Sequence, residues 1–169
     1  MSQRVGFGFA GVLAVLGVIG TMAAPVHAAT ITVNSPLDII SPDDRQCTLR
    51  EAVIAANTNV ASGPGANECP PGDSGSDLIV FLDLPGSPHE YALGIPPTPL
   101  NDVRSGDLNI TEDLVIIGNL HTETIISGGV DRVFRVGPGL SVQIQRLQIR
   151  FGNAFSGAGI KNEGGMLRL

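Results

Sequence analysis

Three stretches decide how this chain folds: LNITEDLVIIG at 108–118, FRVGPGLSVQI at 134–144 and IKNEGGMLRL at 160–169. Their first residues, Leu108, Phe134 and Ile160, stand 26 positions apart both times. In each, a few alternating strand positions are followed by a polar, Gly or Pro turn and a second alternating strand, read at Val115 and Ile117, Val142 and Ile144, and Leu167 and Leu169. A third short strand fits the gaps, as TIIS at 124–127 and LQIR at 147–150. Several short strands per repeat, at a fixed period, predict a parallel β-helix in which each turn stacks on the one before. A sandwich of antiparallel strands would give strands every 8–12 residues with hairpin turns, and some spacings satisfy that too. The constant register favours the stacked arrangement.

Composition agrees with short strands and many turns. The hydrophobic fraction of 43% suffices for a packed core, yet aromatics are 4% and Trp is absent, while 22 Gly and 12 Pro supply the turns. Aliphatic ladders build a core of that kind. The formal charge of -6 leaves no clustered Lys and Arg for a phosphate backbone, so nucleic acid is excluded as a partner.

Residues 1–28 are of a different material. Arg4 gives a short basic start, VGFGFAGVLAVLGVIGTMAA (5–24) is uncharged and apolar, and the small residues Val26 and Ala28 fit a signal-peptidase site. A signal peptide over 1–28 is expected, cleaved between Ala28 and Ala29; an apolar run of this length can also act as an uncleaved membrane anchor. No other segment reads as a membrane span. Export changes the meaning of Cys47 and Cys69, since an even pair in an oxidising compartment reads first as a disulfide.

Residues 29–106 read as an N-terminal cap region. ATITVN (29–34) alternates, with Ile31 and Val33 on one face, and predicts a strand. Thr48 and Glu51 in TLRE fit a capping box, and Leu49, Ala52, Val53 and Ala56 recur on one face of a short helix over 48–57, with Asn57 as its stop. The segment 58–76 is a loop by composition and holds Cys69. DLIVFLDL (77–84) reads as a buried strand, PGSPHEYAL (85–93) turns and extends again, and repeated coils occupy 107–169.

The stretch CTLREAVIAAN, Cys47–Asn57, closely resembles the Cys-Ser-Leu-Arg-Glu-Ala signature of the CSLREA-domain family of exported bacterial proteins, with Thr48 in place of the usual Ser. ECPPGDSGSD, DLIVF, GDLNITEDLVIIG, DRVFRV and GAGIKNEGG resemble that family in the same order. The resemblance implies an all-β fold, a right-handed, pectin-lyase-like parallel β-helix whose open end is covered by the short α-helix. It also implies a secreted or cell-surface location and an adhesin-like or autotransporter-like role. Such proteins continue for many coils, so a chain reaching only Leu169, inside a predicted strand, reads as a truncated stack. Its last coil would leave an exposed edge suited to self-association.

Candidate chemistry is sparse. A nucleophilic Cys47 would need a nearby base, and in the mature chain the nearest His in sequence is His89. The pairs Asp43 and Asp44, Asp73 and Asp77, and Asp102 and Asp107 lack a calcium-loop spacing and sit in turn-rich segments, where acids meet solvent. His89 and His121 read as isolated solvent-facing residues without metal-site spacing, and Arg50 and Arg132 as surface ion-pair partners. Asn153 and Asn162 fall near coil corners, where asparagine side chains stack. GVDRVFRVGPG lacks the Gly-Lys-Ser or Gly-Lys-Thr of a phosphate loop. The expectation is a protein without a catalytic site, cofactor or metal in this segment, with an adhesive, binding or scaffolding role toward a surface glycan or another protein. The alternative is the N-terminal part of an extracellular polysaccharide lyase or glycoside hydrolase.

Overall fold

A computed structural model describes residues 28–65, 67–86, 89–100 and 102–169. The expected leader, through position 27, lies outside the described residues. Strand β1 (Thr30–Val33) leads to helix α1 (Leu49–Thr58), and ten strands follow. These are β2 (Asp77–Phe81), β3 (His89–Ala92), β4 (Leu108–Ile110), β5 (Leu114–Ile117), β6 (Thr124–Ser127), β7 (Phe134–Val136), β8 (Ser141–Gln145), β9 (Leu147–Arg150), β10 (Ile160–Asn162) and β11 (Met166–Arg168). Among the described residues the fold is all-β apart from that one short helix.

The strands form three sheets, ordered β1-β2-β5-β8-β11, β3-β6-β9 and β4-β7-β10, and every pairing is parallel. From β2 onward the chain visits the sheets in rotation, returning to the first after each circuit. Parallel neighbours cannot be joined by a hairpin, and here the two intervening strands make the crossover. Burial selects alternate residues: Ile31, Ile79, Ile116 and Ile144 stack in register and are buried, and Leu108 and Phe134 do the same in the third sheet. Each such aliphatic side chain contributes about 1.5–3 kcal/mol when taken from water. Phe81 and Tyr91 meet edge to face, with ring centroids 4.8 Å apart.

The repeat is regular in one sheet only. Leu108, Phe134 and Ile160 are directly paired, which preserves the 26-residue spacing. In the first sheet Leu114 pairs with Val142 and Val142 with Leu167, while in the second Thr124 pairs with Leu147, so the turns absorb additions and deletions. The phase expected for β5 is also corrected. Leu114 and Ile116 are buried, whereas Val115 and Ile117 are half-buried on the other face. All four residues of LVII are apolar, so alternation cannot fix the phase; the partner β8 fixes it, where Ser141, Gln143 and Gln145 leave Val142 and Ile144 for the core. Leu169, expected to point inward, lies beyond β11 and is 82% exposed.

Helix α1 occupies the circuit where β1 would otherwise be followed by strands, and it packs on β1, β2 and β4. It begins one residue later than expected because Thr48 is the N-cap, and it continues past Asn57 to Thr58, with Asn59 in the left-handed conformation as C-cap. Leu49, Ala52, Val53 and Ala56 are buried, and so are Arg50, Glu51 and Ala55. Small residues let the helix sit close. A Cβ on Gly72 would come within 2.9 Å of the Ala56 Cα and within 2.3 Å of an Asp77 carboxylate oxygen, so the loop after the helix can pass there only without a side chain.

Candidate functional site

The cap is held by the residues of Cys47–Glu51, each with a separate role. Cys47 is bonded to Cys69, with Cα atoms 4.8 Å apart and both residues fully buried. Closing a loop of this length restricts the unfolded chain by about 3 kcal/mol. The Glu51 amide donates to the Thr48 hydroxyl at 3.2 Å, and the Thr48 amide donates to Glu51 Oε2 at 3.0 Å, completing the capping box. Glu51 Oε1 accepts from the Ser41 amide at 2.8 Å, and the Thr48 hydroxyl donates to the Ile39 carbonyl at 3.0 Å. The preceding loop is thereby drawn over the helix start, as expected for Thr48 and Glu51 and further than the local motif requires.

Arg50 overturns the expectation of a surface ion pair. Its side chain is 0% exposed, and its fork donates from Nε to Asp38 Oδ1 at 2.6 Å and from Nη2 to Asp38 Oδ2 at 3.0 Å. Nη1 donates to the Val103 carbonyl at 2.8 Å and Nη2 to the Gly106 carbonyl at 2.9 Å. Asp38 Oδ2 accepts further from the Gly94 and Ile95 amides, at 2.8 and 3.0 Å. One guanidinium therefore joins the helix, the loop after β1 and the connection from β3 to β4. A planar five-donor fork is the group suited to such a junction. Asp38 escaped the sequence reading because its partners lie far along the chain.

Other expectations on polar residues are corrected as well. Asp77, read as a turn residue, is 1% exposed at the start of β2, and burial raises its pKa. Asp107 is also buried and ion-paired to Arg132 at 2.5 Å; burial raises its pKa first, and the nearby Asp131 charge adds to this. Arg132 is only partly exposed. His89 is buried in β3, stacked beside Thr124, because the strand's alternation turns it inward with Tyr91. His121 is exposed, as are Asp43, Asn153 and Asn162. Asp44, Asp73 and Asp102 accept from nearby backbone amides in turns, and Asn162 accepts from Gly164 and Gly165 in its own turn.

A groove of about 440 Å³ opens between the end of α1 and the outer face of the third sheet. Asn57, Asn109, Thr111, Arg135 and Glu163 are among its lining residues. Asn57, expected to end the helix, bridges to β4 by donating to the Asn109 carbonyl at 2.7 Å and accepting from the Thr111 amide at 2.9 Å. Asn109, Arg135 and Lys161 are in register on the outer face. Glu163 lies 2.8 Å from both Arg135 Nη2 and Lys161 Nζ. The Arg135 hydrogen bond, with help from Lys161, pulls the Glu163 carboxyl down to about 2, and Glu163 in turn raises the Arg135 pKa. The groove thus sets a fixed cluster of charges close to Thr111.

Among the described residues no three of His, Cys, Asp and Glu converge to hold a metal ion, and no helix is long and apolar enough to cross a membrane. Compared with protein-family models, curated proteins and solved structures, the chain has no match.

Proposed function

We propose that the chain is the capped start of an exported, right-handed parallel β-helix of the CSLREA type, acting at the cell surface or outside the cell as a binding or scaffolding protein. The observation that carries this reading is the engagement of the motif: Cys47 is bonded to Cys69, and Thr48, Arg50 and Glu51 are spent on holding the cap. No thiol is left in it to act as a nucleophile. Rotation of the chain through three parallel sheets supports the β-helix, and the strong preference of parallel crossovers for one hand supports the right-handed form. The buried disulfide supports export, because such bonds persist in oxidising compartments.

The surface offered to a partner is the groove over β4 and β7, lined by Arg135 and Glu163 with Lys161 paired to Glu163, and its partner class is a surface glycan or another protein. Among the described residues β9, β10 and β11 have a neighbour on one side only, and Ile149, Ile160 and Leu167 are only partly buried. Incubation of the exported product with immobilised acidic and neutral polysaccharides tests the binding role. Retention that is lost in Arg135→Ala, with the polysaccharide length unchanged, is the expected result. Shortened or unsaturated sugars would instead establish a lyase or hydrolase, and absence of retention on every matrix would remove the glycan reading.

A further inference from the structure

Asp77 occupies a level of the first sheet that is otherwise aliphatic. It pairs in register with Leu114, which pairs with Val142, which pairs with Leu167. A carboxylate at such a level is costly unless a charge or several donors meet it. Its Oδ1 accepts from the Ala29 amide and from the Asp73 amide, each at 3.0 Å. Its Oδ2 is buried with no hydrogen-bond partner, and among the described residues no Lys, Arg or His side chain forms an ion pair with it. Burial accordingly raises the pKa of Asp77, and the neighbouring Asp73 charge pushes in the same direction.

The group in front of this carboxylate is the nitrogen of Ala29. Its position is set by the sheet, since the Leu78 amide donates to the Ala29 carbonyl at 2.8 Å as β1 enters its ladder with β2. We propose that Asp77 is the receptor for the new N-terminus, and that removal of the leader at Ala28–Ala29 completes the fold by placing the Ala29 α-ammonium against the buried carboxylate. The proposal rests on cleavage at that bond. Hydrolysis there consumes one water, leaves Ala28 as a carboxylate on the departing leader, and converts the single Ala29 N–H into an ammonium with three. One donor keeps the Oδ1 contact, and the new positive charge stands beside the carboxylate whose Oδ2 has no partner. The unprocessed chain carries a buried carboxyl group met only by two backbone amides, and the processed chain carries an ion pair at the same place. The first sheet is therefore weaker before export than after it.

The test uses the full chain expressed with its leader and purified as the exported product, beside a variant with Gly-Ser inserted between Ala28 and Ala29. N-terminal sequencing comes first and examines the cleavage alone: a first residue other than Ala29 removes the cleavage reading and, with it, the proposal. With Ala29 first, Asp77→Asn is compared in both products by urea unfolding. It is expected to weaken the folding equilibrium of the Ala29 product by about tenfold to a hundredfold, the range for a hydrogen bond to a charged group. In the Gly-Ser product the same substitution only removes a buried charge, so stability stays level or rises. An equal effect in both products overturns the ion pair with the cleavage intact. Should Asp77→Asn fail to accumulate, the insertion alone decides: it must lower the unfolding midpoint of the Asp77 protein, and an unchanged midpoint overturns the proposal.

Discussion

Replacing Arg50 by Ala should damage this fold more than any other single change in the capping helix. The side chain is fully buried and makes four donor contacts, two to Asp38 and one each to the carbonyls of Val103 and Gly106. Truncation leaves Asp38, 6% exposed, as a buried anion held only by the Gly94 and Ile95 amides. Breaking a buried pair from one side costs about 3–5 kcal/mol. The Gly106 carbonyl, in a buried residue, also loses its side-chain donor. Since whole domains are stable by about 5–15 kcal/mol, the variant should be at the edge of folding. Arg50→Lys keeps the charge but loses the fork, so it should fall between the two. Thr48→Ala is the internal standard, because loss of a helix cap costs about 1 kcal/mol. Urea unfolding followed by far-ultraviolet circular dichroism, with the disulfide intact, ranks all three. An Arg50→Ala protein no weaker than Thr48→Ala would show that the junction is dispensable and the reasoning wrong.

The disulfide should be worth about 3 kcal/mol by loop closure, so Cys47→Ser with Cys69→Ser, or mild reduction, should lower the urea midpoint; an unchanged midpoint would leave the clamp without effect. Ile116→Ala should cost about 2–5 kcal/mol and Ile117→Ala much less, since only Ile116 faces the core, and the reverse order would restore the phase first read from the sequence. Glu163 has a folded-state pKa below its unfolded value, so its ion pairs help the fold above the ordinary carboxylate range. That help is lost as the pH falls from about 4.5 to about 2. A carbon-detected titration of the Glu163 carboxyl should place its midpoint near the lower end, and in Arg135→Ala the midpoint should move up. A normal Glu163 midpoint in the intact protein would mean that the outer-face cluster does not form in solution.

What the sequence made legible was local or periodic. The capping box is written within four residues, and the structure forms it as read. The 26-residue period is strict where LNI, FRV and IKN stack, because those short strands carry their own alternation. Elsewhere the deciding contacts lie far along the chain or on a neighbouring strand. LVII offers no polar residue to mark a face, so only its neighbour strand decides its phase. Arg50 and its partners Asp38, Val103 and Gly106 are joined only by the closed stack, and nothing in the segment TLREA separates a solvent-facing arginine from a buried one. Asp77 and His89 lie next to turn-forming residues, which suggested solvent, yet each begins a strand whose alternation turns it inward. The groove leaves no local mark, since α1, β4, β7 and the turn carrying Glu163 are brought together by circuits of the chain.

The stack has two unlike ends. At one, the helix, the disulfide and the arginine junction close over the first strands; at the other, the backbone edges of β9, β10 and β11 stand open among the described residues. Such a molecule has a direction, as a ruler has a zero mark. Along it each row inherits its inward positions from the row beneath, as Ile31, Ile79, Ile116 and Ile144 do.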